Sequence, residues 1–141
     1  MNTSSSARPA GGERYLVGVD VGTGSARAGV FDLSGRMLAS GKRDISLFRE
    51  AGAMVEQSST EIWAAVCAAV REAVAKAGVA PEKVAGIGFD ATCSLVVLGK
   101  DGAPLPVGPS EDPERDIIVW MDHRAVDQVE RINATGHPVL R

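Results

Sequence analysis

The stretch Val17-Gly-Val-Asp-Val-Gly-Thr-Gly-Ser-Ala-Arg-Ala-Gly-Val-Phe-Asp32 decides how this chain is read. Alternating small apolar residues predict a strand that carries one carboxylate, Asp20, to its end. Gly22-Thr23-Gly24 then turn the chain, and a second strand leaves with Ser25 and Arg27 at its start. Two glycines allow a tight backbone, φ > 0 included, and close approach to a ligand. Successive N–H groups in such a turn form an anion-binding concavity. The Thr23 and Ser25 hydroxyls add donors, and Arg27 adds a forked positive charge suited to phosphate. Asp20 would repel phosphate directly, so its natural task is to hold a metal ion, or waters on that metal, against the phosphate oxygens. The spacing predicts a phosphate-binding hairpin.

An Asp-x-Gly-Thr-Gly stretch between two strands also serves as a plain hairpin turn. It differs from the two common phosphate loops. No Gly-Lys-Ser/Thr is present, and Ala26 to Phe31 continues as strand, so no helix follows the glycines. The rest of the chain has to decide.

With 141 residues the chain is long enough for one domain with its own core, expected over 15–141 behind a disordered leader at 1–14. A net charge of -3 gives no support to nucleic-acid binding. Cys67 and Cys93 lie among apolar residues without metal-ligand spacing, as buried thiols of a reducing cytoplasm do. No apolar run is long enough for a bilayer, and the leader lacks the hydrophobic core of a secretory signal, so neither membrane nor export is expected.

The pattern predicts strands at 15–21 and 25–32, a turn at 33–35 and a third strand over 36–47, bent near Gly41, in an antiparallel meander. A helix follows, with Ser58 as N-cap and Glu61 completing a capping box. Its apolar stripe runs Ile62, Val66, Val70, Val74, with Trp63 expected in the core beside it. Gly78 closes the helix and Pro81 blocks its resumption. A buried strand is expected over 84–90 beside the first, then strands at 93–98 and 117–121. An exposed loop with four prolines and four acids is expected over 103–116, and a helix over 122–132. Three hairpin strands, a helix, a strand and more α/β match one lobe of the actin-like, ribonuclease-H-like fold: a mixed sheet opening on a three-strand antiparallel meander and flanked by helices.

Three further segments place polar groups at element ends: Val55-Glu-Gln-Ser-Ser-Thr-Glu-Ile-Trp63, Gly86-Ile-Gly-Phe-Asp-Ala-Thr-Cys-Ser94 and Ile118-Val-Trp-Met-Asp-His-Arg124. Hydroxyl-bonding groups with an aromatic wall suit a polyol. Together with the hairpin, these segments resemble the FGGY carbohydrate kinases over essentially all of 15–141. The Asp20–Arg27 hairpin looks like their first phosphate motif, Glu56-Gln57 through Trp63 like their approach to the helix, and Trp120-x-Asp122-x-Arg124 like their sugar-site turn. Gly88 to Ser94, Val119 to Ala125 and Ile132 to Pro138 read most like the ribulokinase-type pentulose kinases. Glycerol-kinase relatives carry Gln-Arg-Glu where this chain has Asp90-Ala91-Thr92-Cys93-Ser94, which leaves room for a five-carbon ketose.

The resemblance implies ATP and Mg²⁺ as cofactors, faced by Asp20, Gly22, Thr23, Gly24, Ser25 and Arg27, with Asp20 at the metal. It implies a sugar pocket lined or supported by Thr92, Cys93, Trp120, Asp122 and Arg124, and γ-phosphoryl transfer to a ketopentose hydroxyl. D-ribulose, L-ribulose and xylulose all stay open as that ketopentose. Cys93 reads equally as a packed thiol or a pocket wall. Asp90 reads as a turn cap or a substrate contact, Arg124 also as an ion pair at its helix start, and His123 and His137 as exposed. Members of the family are much longer and hold their active site between two actin-like lobes. These residues are therefore expected to be the N-terminal part of a longer, cytoplasmic kinase. Its general base and adenosine-binding lobe would lie beyond residue 141, and the part alone would be inactive. Its cleft face could self-associate. Two rival readings are another actin-fold ATPase, which has no use for the Trp120-x-Asp122-x-Arg124 turn, and a non-catalytic interaction module, which has no use for Asp20, Thr23 and Arg27.

Overall fold

The computed structural model describes residues 13–50 and 53–141, so most of the expected leader lies outside the described residues. β1 (Tyr15–Val21), β2 (Ser25–Asp32) and β3 (Met37–Asp44) form the antiparallel meander. After α1 (Ser59–Ala77) the chain returns as β6 (Val84–Ala91), parallel to β1, giving the sheet order β3-β2-β1-β6. Four short strands, β4 (Phe48–Arg49), β5 (Val55–Gln57), β7 (Leu95–Val96) and β8 (Ile117–Ile118), form a second antiparallel sheet in the order β4-β5-β8-β7. A short helix, α2 (Val126–Ala134), comes last before a closing 3₁₀ turn. No helix among the described residues is long and apolar enough to cross a membrane.

The core lies between α1 and one face of the larger sheet. Val17 and Val19 of β1 and Ala26, Ala28 and Val30 of β2 are buried against Ala65, Val66, Ala69 and Ala73 of α1. The helix therefore presents mainly alanines, and Ile62, Val70 and Val74 pack only at its margin. Small residues let the backbones approach closely. At Gly41 of β3, a Cβ would overlap the Ala69 carbonyl. Trp63 is 63% exposed, which corrects its expected place in the core: the helix rotates its alanine face, not its bulky residues, toward the sheet.

Local signals at the helix ends act as expected. Ser58 Oγ accepts from the Glu61 N–H (3.1 Å), and Gly78 ends α1 in the left-handed region at φ 64°. The Glu61 carboxylate, however, takes the Ser46 N–H and hydroxyl, tying α1 to the chain after β3. The expected third strand is thus cut short at Asp44, and residues 45–47 leave the sheet and lead into β4 of the smaller one.

Four other expectations need correction. β6 pairs with β1 as predicted but is an exposed edge, because α1 covers β2 and β3. The 93–98 and 117–121 strands shrink to two residues each. The 103–116 loop is not wholly exposed: Asp116 is fully buried and accepts from the Ser59 N–H (2.8 Å) and hydroxyl (2.5 Å), pinning the start of α1. Cys67 is half-buried and Cys93 exposed, so neither is a core thiol.

Candidate functional site

Strand alternation puts Val17, Val19 and Val21 toward α1 and sends Gly18 and Asp20 to the opposite face. On that face Gly18 lies level with Gly29 of β2 and Gly88 of β6. Three side-chain-free positions in a row form the floor of an open cavity of about 730 Å³. The next row is charged: Lys42, Arg27, Asp20 and Asp90 stand level across β3, β2, β1 and β6. Arg27 Nη2 pairs with Asp20 Oδ2 at 3.0 Å, both about half exposed. The two residues that the sequence assigns to metal and phosphate thus neutralise one another here. Asp90, left open between turn cap and contact, stands beside Asp20 at the cavity wall. Only the parallel register of β1 and β6, invisible in sequence, reveals that neighbour.

The hairpin turn closes with the Gly22 N–H donating to the Ser25 carbonyl (3.0 Å). Neither Gly22 nor Gly24 adopts positive φ. A Cβ at Gly22 would stand 2.6 Å from Arg27 Nη2, the mobile end of a side chain that folds back over the turn, so the contact asks only that Arg27 shift. Ser25 is buried at the base of β2, while Thr23 and Gly24 form the tip.

Thr23 is where the separate segments meet. The buried Gln57 of β5 donates its side-chain N–H to the Thr23 carbonyl at 2.8 Å, and the Trp120 indole N–H donates to Thr23 Oγ1 at 3.1 Å. Ser94 Oγ accepts the Trp120 backbone N–H (3.3 Å) and lies 3.0 Å from Thr92 Oγ1. The Thr92 N–H donates to the Val21 carbonyl (3.2 Å), returning to the end of β1. The hairpin, the end of β6 and the turn after β8 form one hydrogen-bonded ring. Cys93 sits exposed within it. The sequence places Gln57 only in the approach to the helix and gives it no role at the site, because an amide beside a helix cap reads as part of the cap.

Asp122 and Arg124 stand apart from this open rim, and their side chains are largely buried. Arg124 donates from Nε and Nη2 to both Asp122 oxygens (2.7–2.9 Å), from Nη2 to Glu56 Oε1 (2.8 Å) and from Nη1 to the Val107 carbonyl (2.7 Å). Asp122 Oδ2 also accepts the Val55 N–H at 2.7 Å. Burial pushes the Asp122 carboxyl up. The Arg124 guanidinium and the Val55 and Arg124 N–H groups outweigh it together and bring the pKa down to about 2. Arg124 is raised in turn, chiefly by its hydrogen bonds to Asp122. The network clamps the 119–124 turn to β5 and so holds Trp120 over Thr23. His123 and His137 are exposed, as expected.

Over residues 15–139 the chain matches the N-terminal domain of the FGGY family of carbohydrate kinases, and it belongs to that family. It is 51% identical over 129 residues to an FGGY carbohydrate kinase domain-containing protein of Homo sapiens, covering 92% of this chain and 23% of that one. It is 49% identical over 130 residues to a D-ribulokinase of Saccharomyces cerevisiae, covering 91% and 18%. Among solved structures it resembles a gluconate kinase from Lactobacillus acidophilus (TM-score 0.73, 24% identity, 88% of this chain and 23% of that one). The fold is thus the actin-like, ribonuclease-H-like lobe that the element order implied. The chain spans about a quarter or less of the relatives it matches.

Proposed function

We propose that the full-length protein transfers the γ-phosphoryl group of ATP to a ketopentose of the ribulose type, with 15–141 supplying part of the site. The observation that carries this reading is the junction at Thr23, where a phosphate-type hairpin is hydrogen-bonded to an aromatic wall suited to a sugar. The likeness to a D-ribulokinase and the short lining Asp90-Ala91-Thr92-Cys93-Ser94 favour a ketopentose over glycerol.

In this reading Gly22, Thr23, Gly24, Ser25 and Arg27 face the phosphates, with Ser25 buried at the base of the turn. Asp20 and Asp90 fit Mg²⁺, which uses one or two protein carboxylates and fills its other positions with waters and phosphate oxygens. A Mg²⁺ ion held there would supply charge neutralisation on the transferring group. Arg27 exchanges Asp20 for a phosphate when nucleotide binds. Trp120 gives the C–H face of the sugar a wall, with Thr92 and Cys93 beside it at the end of β6, while Asp122 and Arg124 hold the wall in place. The sugar hydroxyl oxygen bonds to the γ-phosphorus as the bond to the β-phosphate oxygen breaks. The hydroxyl proton passes to a base outside this chain. Rate comes from positioning and charge neutralisation.

The test is ATP consumption by the full-length protein with a panel of ketopentoses, glycerol and no sugar. Turnover with one ketopentose only is the expected result. Sugar-independent turnover would move the assignment to another actin-fold ATPase, and none at all to a binding module.

A further inference from the structure

We infer that the Thr23–Trp120 hydrogen bond couples sugar binding to nucleotide binding, each strengthening the other. This rests on the kinase reading above and deepens it. Thr23 is held at two points: Gln57 fixes its carbonyl, and the Trp120 indole N–H donates to its hydroxyl. A hydroxyl that accepts in a fixed direction has its own proton aimed elsewhere.

The bond is not secure by itself. Trp120 is 57% exposed, and water competes for its N–H. Its backbone is anchored through Ser94 and the turn after β8, but the ring is not enclosed. A sugar seated on the indole shields the bond from water, and a hydrogen bond in a drier setting is stronger. The Thr23 hydroxyl is then oriented before the phosphate arrives. By linkage, a phosphate gripping Thr23 holds the indole in place for the sugar by the same factor.

The experiment measures binding of Mg²⁺ and a non-hydrolysable ATP analogue to the full-length protein, with and without the ketopentose that the panel identifies. The wild type is expected to bind the analogue about three- to tenfold tighter with sugar, the size of one modest hydrogen bond. Trp120→Phe keeps the apolar wall and removes the donor, and Thr23→Val keeps the shape and removes the acceptor. Each brings the ratio to about one, the double variant goes no further, and Thr23→Ser keeps it. Trp120 is exposed and Thr23 half-buried, and a melting curve of each variant checks that it keeps the wild-type fold. A wild-type ratio of one, a ratio that survives either substitution, or effects that multiply in the double variant would overturn the link. Turnover of a ketopentose with an unchanged ratio sinks the link alone. Absence of any sugar-dependent turnover sinks the kinase reading and the link with it.

Discussion

Glu56 is fully buried, and its two carboxylate oxygens are unequal: Oε1 takes Arg124, and Oε2 has no partner among the described residues. A buried carboxylate so placed depends on its single cation. Arg124 serves Glu56 and Asp122 together, so Arg124→Met strands two buried charges and is expected to destabilise this chain by about 3–5 kcal/mol in urea unfolding. Arg124→Lys recovers only part of that, because an ammonium cannot fork across both carboxylates. Acid has a related effect. The folded Asp122 carboxyl lies at about 2 against an ordinary 3.8, so the unfolded chain takes up the proton first. Its contribution is complete above pH 3.8 and falls away as the pH drops toward 2. Asp122→Asn is expected to flatten that part of the stability–pH curve, read from unfolding midpoints at several pH values. An unchanged acid limb would mean that Asp122 is not held by Arg124.

α1 and β3 meet where neither has a side chain to spare. A methyl on Gly41 would strike the Ala69 carbonyl, a backbone atom that cannot swing aside. Gly41→Ala is expected to cost about 1–3 kcal/mol, whereas Gly24→Ala, with nothing within 4 Å of its Cβ, should change thermal stability little. Equal effects of the two would show that α1 does not sit this close. The same contact explains what sequence could not tell about this helix. Its ends were legible, because Ser58 and Gly78 act on their own backbone. Its buried face was not, because Gly41 admits alanines where the apolar pattern pointed to valines. The bounds of β1 and β2 followed from alternation and turn residues, but strands of two or three residues have no period to read, so the smaller sheet stayed hidden. For the proposed site, Asp20, Thr23, Arg27 and Trp120 were named as expectations, from residue type, spacing and the family resemblance. Their partners were not: Gln57 and Trp120 reach Thr23 across 34 and 97 residues of chain.

Across the whole molecule, the larger sheet is covered on one face, and only in part. β6 sends Ile87 and Phe89 to the same side as Val17 and Val19, where α1 no longer reaches, leaving Phe89 58% exposed and Ile87 49%. On the far face Leu16 is also exposed, and the β6 edge has no further strand among the described residues. Exposed apolar side chains beside an open sheet edge favour association, through burial worth about 1.5–3 kcal/mol per large side chain and through edge pairing. Alone in solution, this chain is expected to self-associate as its concentration rises, with light scattering after size exclusion giving a mass above the 14.7 kDa of one copy. A Phe89→Lys substitution should lower that mass without lowering thermal stability, because Phe89 contributes little to the core that α1 closes. The full-length protein should not respond to the same substitution simply by dissociating: if the rest of the protein covers β6, a lysine there would destabilise the fold instead. Melting temperature and mass measured on both proteins separate the two cases. A 141-residue chain that stays monomeric at high concentration would show that the open face is tolerated by itself, and that β6 needs no cover.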